Sequence, residues 1–548
     1  MPGTTSRRRA PGGLVLATLI LGATVANLNL SVANVALPTI DRDLGATQTQ
    51  LDLVAVGFTL GLATSVLYLG ALADRHGRKL MLLLGLALSI PAAALAAWSG
   101  NVDVLILARI FGGVAAGMAF PTTLSLVTAL LDGAQRTRGI ALWSGCGGGA
   151  AAVGPLISGF LLRHFWWGSV FVVTIPLAAL ALVLAFFLIP RRAGESAEPV
   201  DNFGGVVSVL FVGALIMAIN LAPTPGRTTV TLVMTAIAIA CGVTFFWRQR
   251  RARNPLFDLH VAARRLFWVA ALAGIVVFGA LMGSLFIGQQ FLQDVLGLDS
   301  FQAGAAILPA PVMMVLLAPV AARLMQRRGG RPTLVLGFVF VIAGFTTMLA
   351  WHEGSSYLPV GLAYAFIGIG VGLAGPPATR SIMSAVPERR AGMGSATTDL
   401  QRDLGGAVMQ SVLGALLTLR YSRYFAEAFT NVPKAKMQAL GEQAAAEIAG
   451  SFGGAADVAR NLPQADAAKL MDAAAEAFTQ GSHVAIATAA AVALGGLVVV
   501  LVFFPRKDRE QQLEAGYAAA DPGAGTPAQE DPGPPVAAGG SPPAPPAG

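Results

Sequence analysis

The sequence predicts an all-α, polytopic membrane protein whose fourteen transmembrane helices are grouped six, two and six. Three observations predict it. Hydrophobic residues make up 55% of the 548 positions and charged residues only 12%, about half the charged share of a soluble domain. Apolar runs recur along the whole chain, many beyond the roughly 18 residues at which a run reads as a membrane-spanning helix. Lys and Arg gather on alternate loops, the pattern set by a membrane with a basic inner side.

Backbone groups in lipid must pair within their own segment, so each apolar run is read as a helix. The first seven are expected near Leu14–Leu37, Leu51–Ala73, Leu80–Trp98, Val104–Leu131, Gly139–Leu162, Gly168–Ile189 and Phe203–Leu221. The second seven are expected near Val230–Trp247, Phe267–Leu292, Gln302–Met325, Thr333–Leu349, Tyr357–Met383, Gly392–Leu419 and His483–Phe504. An even count puts both termini on the cytoplasmic side. That side then receives Arg7 to Arg9, Arg75, Arg78, Lys79, Arg136, Arg138, Arg191, Arg192, Arg248 to Arg253, Arg264 and Arg265. It also receives Arg323, Arg327, Arg328, Arg331, Arg389, Arg390, Arg506, Lys507 and Arg509, whereas the short outer loops hold Arg42, Arg163 and Arg227. Gaining or losing one span would scramble this alternation. The net charge of +8 is therefore topological and does not call for nucleic acid as a partner. The two cysteines, Cys146 and Cys241, fall in separate spans and suggest neither a disulfide framework nor a thiolate metal site.

A constant offset of 252 residues aligns Arg75 and Gly77 with Arg327 and Gly329, Arg138 with Arg390, and Gly154 with Gly406. Two repeated bundles imply a substrate cavity between the halves near mid-membrane. The expected organisation is a cytoplasmic tail over 1–13, a six-helix bundle over 14–190, and two linker spans with basic flanks over 191–265. A second bundle follows over 266–505, with an outer loop at 420–482, and a disordered cytoplasmic tail over 506–548. Within the outer loop, Gln464 to Phe478 carries apolar residues at helical spacing, so a short amphipathic helix and an irregular loop are both open readings. The Pro, Gly and Ala content after Gly516 opposes a packed core.

The loop after the second span reads Gly70-Ala-Leu-Ala-Asp74-Arg75-His-Gly77-Arg78-Lys79. Glycine permits the tight reversal, the basic residues hold the loop at an anionic surface, and Asp74 can face a cation or a helix N-terminus. This loop resembles the signature of the major facilitator superfamily. Further likenesses are Asn34-Val-Ala-Leu-Pro38, Arg109 followed by Gly113 and Gly117, Gly154-Pro155-Leu-Ile-Ser-Gly159, and the stretch from Pro387 to Gly406. Within the superfamily the chain resembles the fourteen-helix drug:proton antiporters, from the first span to the last. The resemblance implies a major facilitator fold, export of amphipathic small molecules by alternating access, protons as coupling ion, and no cofactor or bound metal. It also implies a monomer among the lipids of the cell membrane and argues against an enzyme. A lipid or glycolipid transporter, and a membrane scaffold that has kept the fold, are the competing readings.

Ionisable groups inside the bilayer are costly and usually face a cavity, so they head the site candidates. Arg109, Asp399, Arg402 and Asp403 are the expected proton-coupling residues. Asp399, Arg402 and Asp403 share one helix face through spacings of three and four. Arg402 adjoins Asp403, which makes Asp399 the better proton carrier. Asn29, Asn34 and Arg380 are candidates for the substrate cavity, although Arg380 can also snorkel to the inner interface. Gly70, Asp74, Arg75, Gly77, Arg78, Gly154, Pro155 and Gly159 are candidates for gating. Three positions depart from the family pattern: Asn29 and Gln326 stand where aspartate is usual, and Gly112 where glutamine is usual.

Overall fold

The computed structural model describes residues 12–46, 48–190, 199–222, 227–430 and 441–520. Among them are fourteen long helices. The first six are α1 (Gly12–Leu44), α2 (Gln48–His76), α3 (Arg78–Ala97), α4 (Val102–Leu130), α5 (Gly133–His164) and α6 (Thr174–Leu188). Two more, α7 (Asn202–Leu221) and α8 (Thr228–Arg251), precede α9 (Arg265–Gln290), α10 (Pro309–Arg328), α11 (Gly330–Met348), α12 (Tyr357–Ala385), α13 (Ala391–Thr430) and α14 (Gln464–Phe503). Twelve of these are long and apolar enough to cross a membrane. The other two are α5 and α13, and α13 crowds Asp399, Arg402 and Asp403 into one turn. Both are nonetheless packed into the bundle: α5 lies against α1 and α10, and α13 against α9 and α14.

The local chemistry that ends and restarts these helices is repeated. Gly77 (φ 110°) and Gly329 (φ 89°) open α3 and α11 in the left-handed region, which a side chain would strain. Asn101 caps α4 by accepting from the Val104 N–H. Packing repeats as well. In the first six helices α4 lies on α2 and α3, and α1 lies on α5; in the last six α12 lies on α10 and α11, and α9 lies on α13. The halves meet where α2 touches α13 and α5 touches α10 and α12, while α7 and α8 pair with each other and α7 leans on α2. The end carrying the α2–α3 and α10–α11 turns is called the basic end below.

One open reading resolves and one expectation needs correction. The described part of the 420–482 segment is helical: α13 runs on to Thr430, where Tyr421, Phe425 and Phe429 form an aromatic stripe at spacings of four, and α14 begins at Gln464. Short helices Glu442–Gly450 and Phe452–Ala459 bring Ile448 and Ala455 into the same buried cluster as Tyr421 and Phe425 of α13 and Phe478 of α14. Ser422 Oγ donates to Ala449 O at 2.7 Å, and Tyr424 OH donates to Glu476 at 3.0 Å. The start of the tail is also ordered. Helix α15 (Lys507–Ala520) is anchored by Glu510, which accepts the Gly330 N–H at 2.9 Å and so supplies a carboxylate to the N-terminus of α11. The rest of the predicted tail, and the 1–11 segment, lie outside the described residues.

Candidate functional site

At the seam of the halves, about 16 Å along α13 by helical rise, sits Arg402. Its Nη1 donates to Asn27 Oδ1 of α1 at 3.1 Å, and its Nη2 lies 3.5 Å from Asp399 Oδ1. The guanidinium stacks over Phe120 of α4 at 4.5 Å and lies 5.8 Å from Phe278 of α9. Asp399 is fully buried, and neither of its oxygens has a hydrogen-bond partner among the described residues. One oxygen of Asp403 is likewise covered and unpartnered. Helical spacing expected one cluster of three, with Arg402 on Asp403. The structure instead gives Arg402 to Asp399, since residues three apart share a face while neighbours point about 100° apart. Asn27, Phe120 and Phe278 were missed. Asn27 was legible as a third asparagine in an apolar span, on the opposite face from Asn29.

Arg109 and Asn29 do not join this seam. Arg109 donates from Nη1 to Asn29 O at 2.7 Å and from Nε to Val54 O at 3.3 Å, inside the first bundle. Asn29 donates to Val25 O and accepts from Thr174 Oγ1 at 3.3 Å, so it ties α1 to α6. Asn34 lies in α1, but its side chain is outside the described residues. Arg380 belongs to the basic end: it pairs with Glu510 at 3.5 Å and Glu514 at 3.2 Å from α15. The cavity and snorkelling readings both give way to this anchoring, because carboxylates at the helix end satisfy the guanidinium without lipid headgroups.

The basic end is clamped across the halves. Asp74 accepts from Arg78 Nε at 3.0 Å and from the Gly392 N–H of α13 at 2.7 Å, and Arg78, only 1% exposed, donates to Glu388 O at 2.6 Å. A Cβ on Gly392 would stand 2.3 Å from Gly70 O and 2.6 Å from Asp74 Oδ2, so glycine is what allows α2 and α13 to touch. Gly77 supplies the turn, and Arg75 stays exposed.

At the opposite end, α5 makes the closure. A Cβ on Gly154 would meet Ser31 Oγ at 1.9 Å, and Ser158 Oγ donates to Val32 O at 2.9 Å, which seats α5 on α1. One turn on, a Cβ on Gly159 would stand 3.3 Å from Phe301 of the second half, and a Cβ on Gly304 would stand 3.7 Å from the Pro155 backbone. Arg163 then pairs with Asp299 at 2.6 Å and covers the Phe301 ring at 4.4 Å.

Two bundles in pseudo-repeat, joined mid-depth by a buried pair and fastened separately at each end, make up a membrane carrier of the alternating-access class, not an enzyme. A Major Facilitator Superfamily profile matches residues 19–409. Multidrug efflux pump LfrA of Mycolicibacterium smegmatis is 32% identical over 508 residues, covering 92% of this chain and 99% of that protein. Multidrug resistance protein Stp of Mycobacterium tuberculosis (strain CDC 1551 / Oshkosh) is 32% identical over 409 residues, 73% of this chain and 76% of its own. The proton:xylose symporter XylE shares the fold, with a TM-score of 0.58 at 13% identity over 92% of this chain and 99% of that one. The chain belongs to the Major Facilitator Superfamily, among relatives that are multidrug efflux and resistance proteins.

Proposed function

We propose that the chain exports amphipathic small molecules from the cell by alternating access in exchange for protons, with Asp399 as the proton carrier and Arg402 as the group that reports its charge across the seam. LfrA and Stp, by their names a multidrug efflux pump and a multidrug resistance protein, support the cargo class. The observation that carries the coupling is the divided allegiance of Arg402, hydrogen-bonded to Asn27 in one half and ion-paired with Asp399 in the other. With Asp399 ionised, the buried guanidinium is neutralised and the seam stays closed. Protonation removes that partner, and an uncompensated buried charge costs several kcal/mol. The equilibrium then moves toward the conformation that admits water to Arg402. Phe120 and Phe278 offer ring faces beside the pair, suited to an apolar or aromatic cargo. The excess of Lys and Arg supports a cytoplasmic basic end, both termini inside, in the cell membrane; the carrier acts as a monomer.

Efflux of a fluorescent amphipathic dye from cells under an imposed pH gradient tests this reading. Cells making the protein should retain less dye, collapse of the gradient should abolish the difference, and Asp399→Asn should lose gradient-driven efflux at unchanged protein level. Equal retention with and without the protein, or full gradient-driven efflux by Asp399→Asn, would overturn it.

A further inference from the structure

Among the described residues, the first bundle encloses a cation with no anion beside it. Arg109 is 2% exposed and lies about 12 Å along α4 from its Asn101 cap by helical rise. Its contacts are the carbonyls of Asn29 and Val54 and the rings of Phe58 and Phe171, 4.9 and 5.6 Å from Cζ. Its remaining nitrogen, Nη2, is covered and has no partner among the described residues. Carbonyl dipoles and ring faces offset part of a full charge at this depth, and the remainder is expensive in hydrocarbon.

Beside Arg109 is a cavity of about 20 Å³, lined by Asn29, Ser89, Phe58, Phe171 and Gly112. That is room for a water or a small inorganic ion. Its polar inventory favours donors. The Asn29 amide spends one N–H on Val25 O and keeps a second, Arg109 brings Nη2, and the Ser89 hydroxyl is already given to Leu86 O. Packing does not force the cavity. A Cβ on Gly112 would make only ordinary contacts, 3.5 Å to Phe58 and 3.6 Å to Ala92, so the space beside Arg109 exists because position 112 has no side chain to fill it.

We infer that this cavity binds a single monovalent inorganic anion, chloride in the cell, as the counter-ion of Arg109, with Asn29 as the second donor. A neutral water would satisfy Nη2 but leave the charge. An organic anion does not fit.

The test uses the purified full-length protein in detergent, with its thermal unfolding followed as sodium gluconate is replaced by sodium chloride or bromide at constant ionic strength. The expected result is a saturable upward shift in Tm of a few degrees with either halide. Asn29→Asp should lose that response, because its carboxylate sits beside the same guanidinium and replaces the ion. Gly112→Gln should lose it too, by filling the cavity without adding charge. Absence of a halide-specific shift in the wild type, as a water-filled cavity would give, overturns the inference. So does a shift that persists in the variants; if one variant does not fold, the other decides.

Discussion

Gly392 shows how one missing methyl can set a conformational equilibrium. Its Cα approaches Gly70 and Asp74 so closely that any side chain must push α2 off α13. Gly392→Val is expected to reach the membrane at normal level yet lose dye efflux at least tenfold, checked by comparing expression with efflux in the same cells. Asp74→Ala acts differently, since it strips a buried arginine of its partner. Breaking such a pair costs about 3–5 kcal/mol, which predicts a lower Tm and reduced protein yield. That Asp74 can face a cation or a helix N-terminus could be read from the loop sequence, but Arg78 becomes its partner only through the Gly77 turn between α2 and α3. The Gly392 N–H that completes the clamp lies 318 residues away, and only the packing of the halves reveals it. The same holds for Arg402, whose sequence neighbour Asp403 drew attention from Asp399 and from Asn27, 375 residues distant.

At the scale of elements, α15 is the least expected. Compositional bias after Gly516 hid the amphipathic turn before it, where Glu510 and Glu514 fall four apart and reach Arg380 together. Burial pushes the Glu510 carboxyl above the ordinary carboxylate range, although Gly330 and Arg380 oppose the shift. A folded-state value raised above the unfolded one makes the protonated form the stabilising one. This group therefore contributes most at low pH and loses that contribution as pH rises through its folded value. Glu510→Gln, which mimics the protonated carboxyl, should gain in Tm relative to wild type as pH rises above the ordinary carboxylate range, read from unfolding curves taken at stepped pH. The helix over Gln464 to Phe478 was one of the two readings that its spacing left open. Its fusion with the last span was not legible, because nothing between Phe478 and His483 breaks a helix and a membrane boundary leaves no mark on backbone geometry.

Across the whole molecule the two closures are unequal. The basic end relies on Asp74 and Arg78, both buried, whereas the opposite end relies on Arg163 and Asp299, each 48% exposed at the side chain. Solvent screens so exposed a pair, so Asp299→Asn should shift the population toward opening at that end by no more than about fivefold. Labelling of a single cysteine at Gly304, in a background lacking Cys146 and Cys241, measures this as a modest rise in modification rate. The six, two and six plan itself was legible, because hydropathy and the alternation of basic loops are dictated by lipid and not by tertiary detail. One dimension of the plan reaches further. Helix α14 has 40 residues, about 60 Å of rise, in a hydrocarbon layer of about 30 Å. Half its length must stand clear of the bilayer away from the basic end, a mast beside the short helix that holds Gly453, around which there is open space.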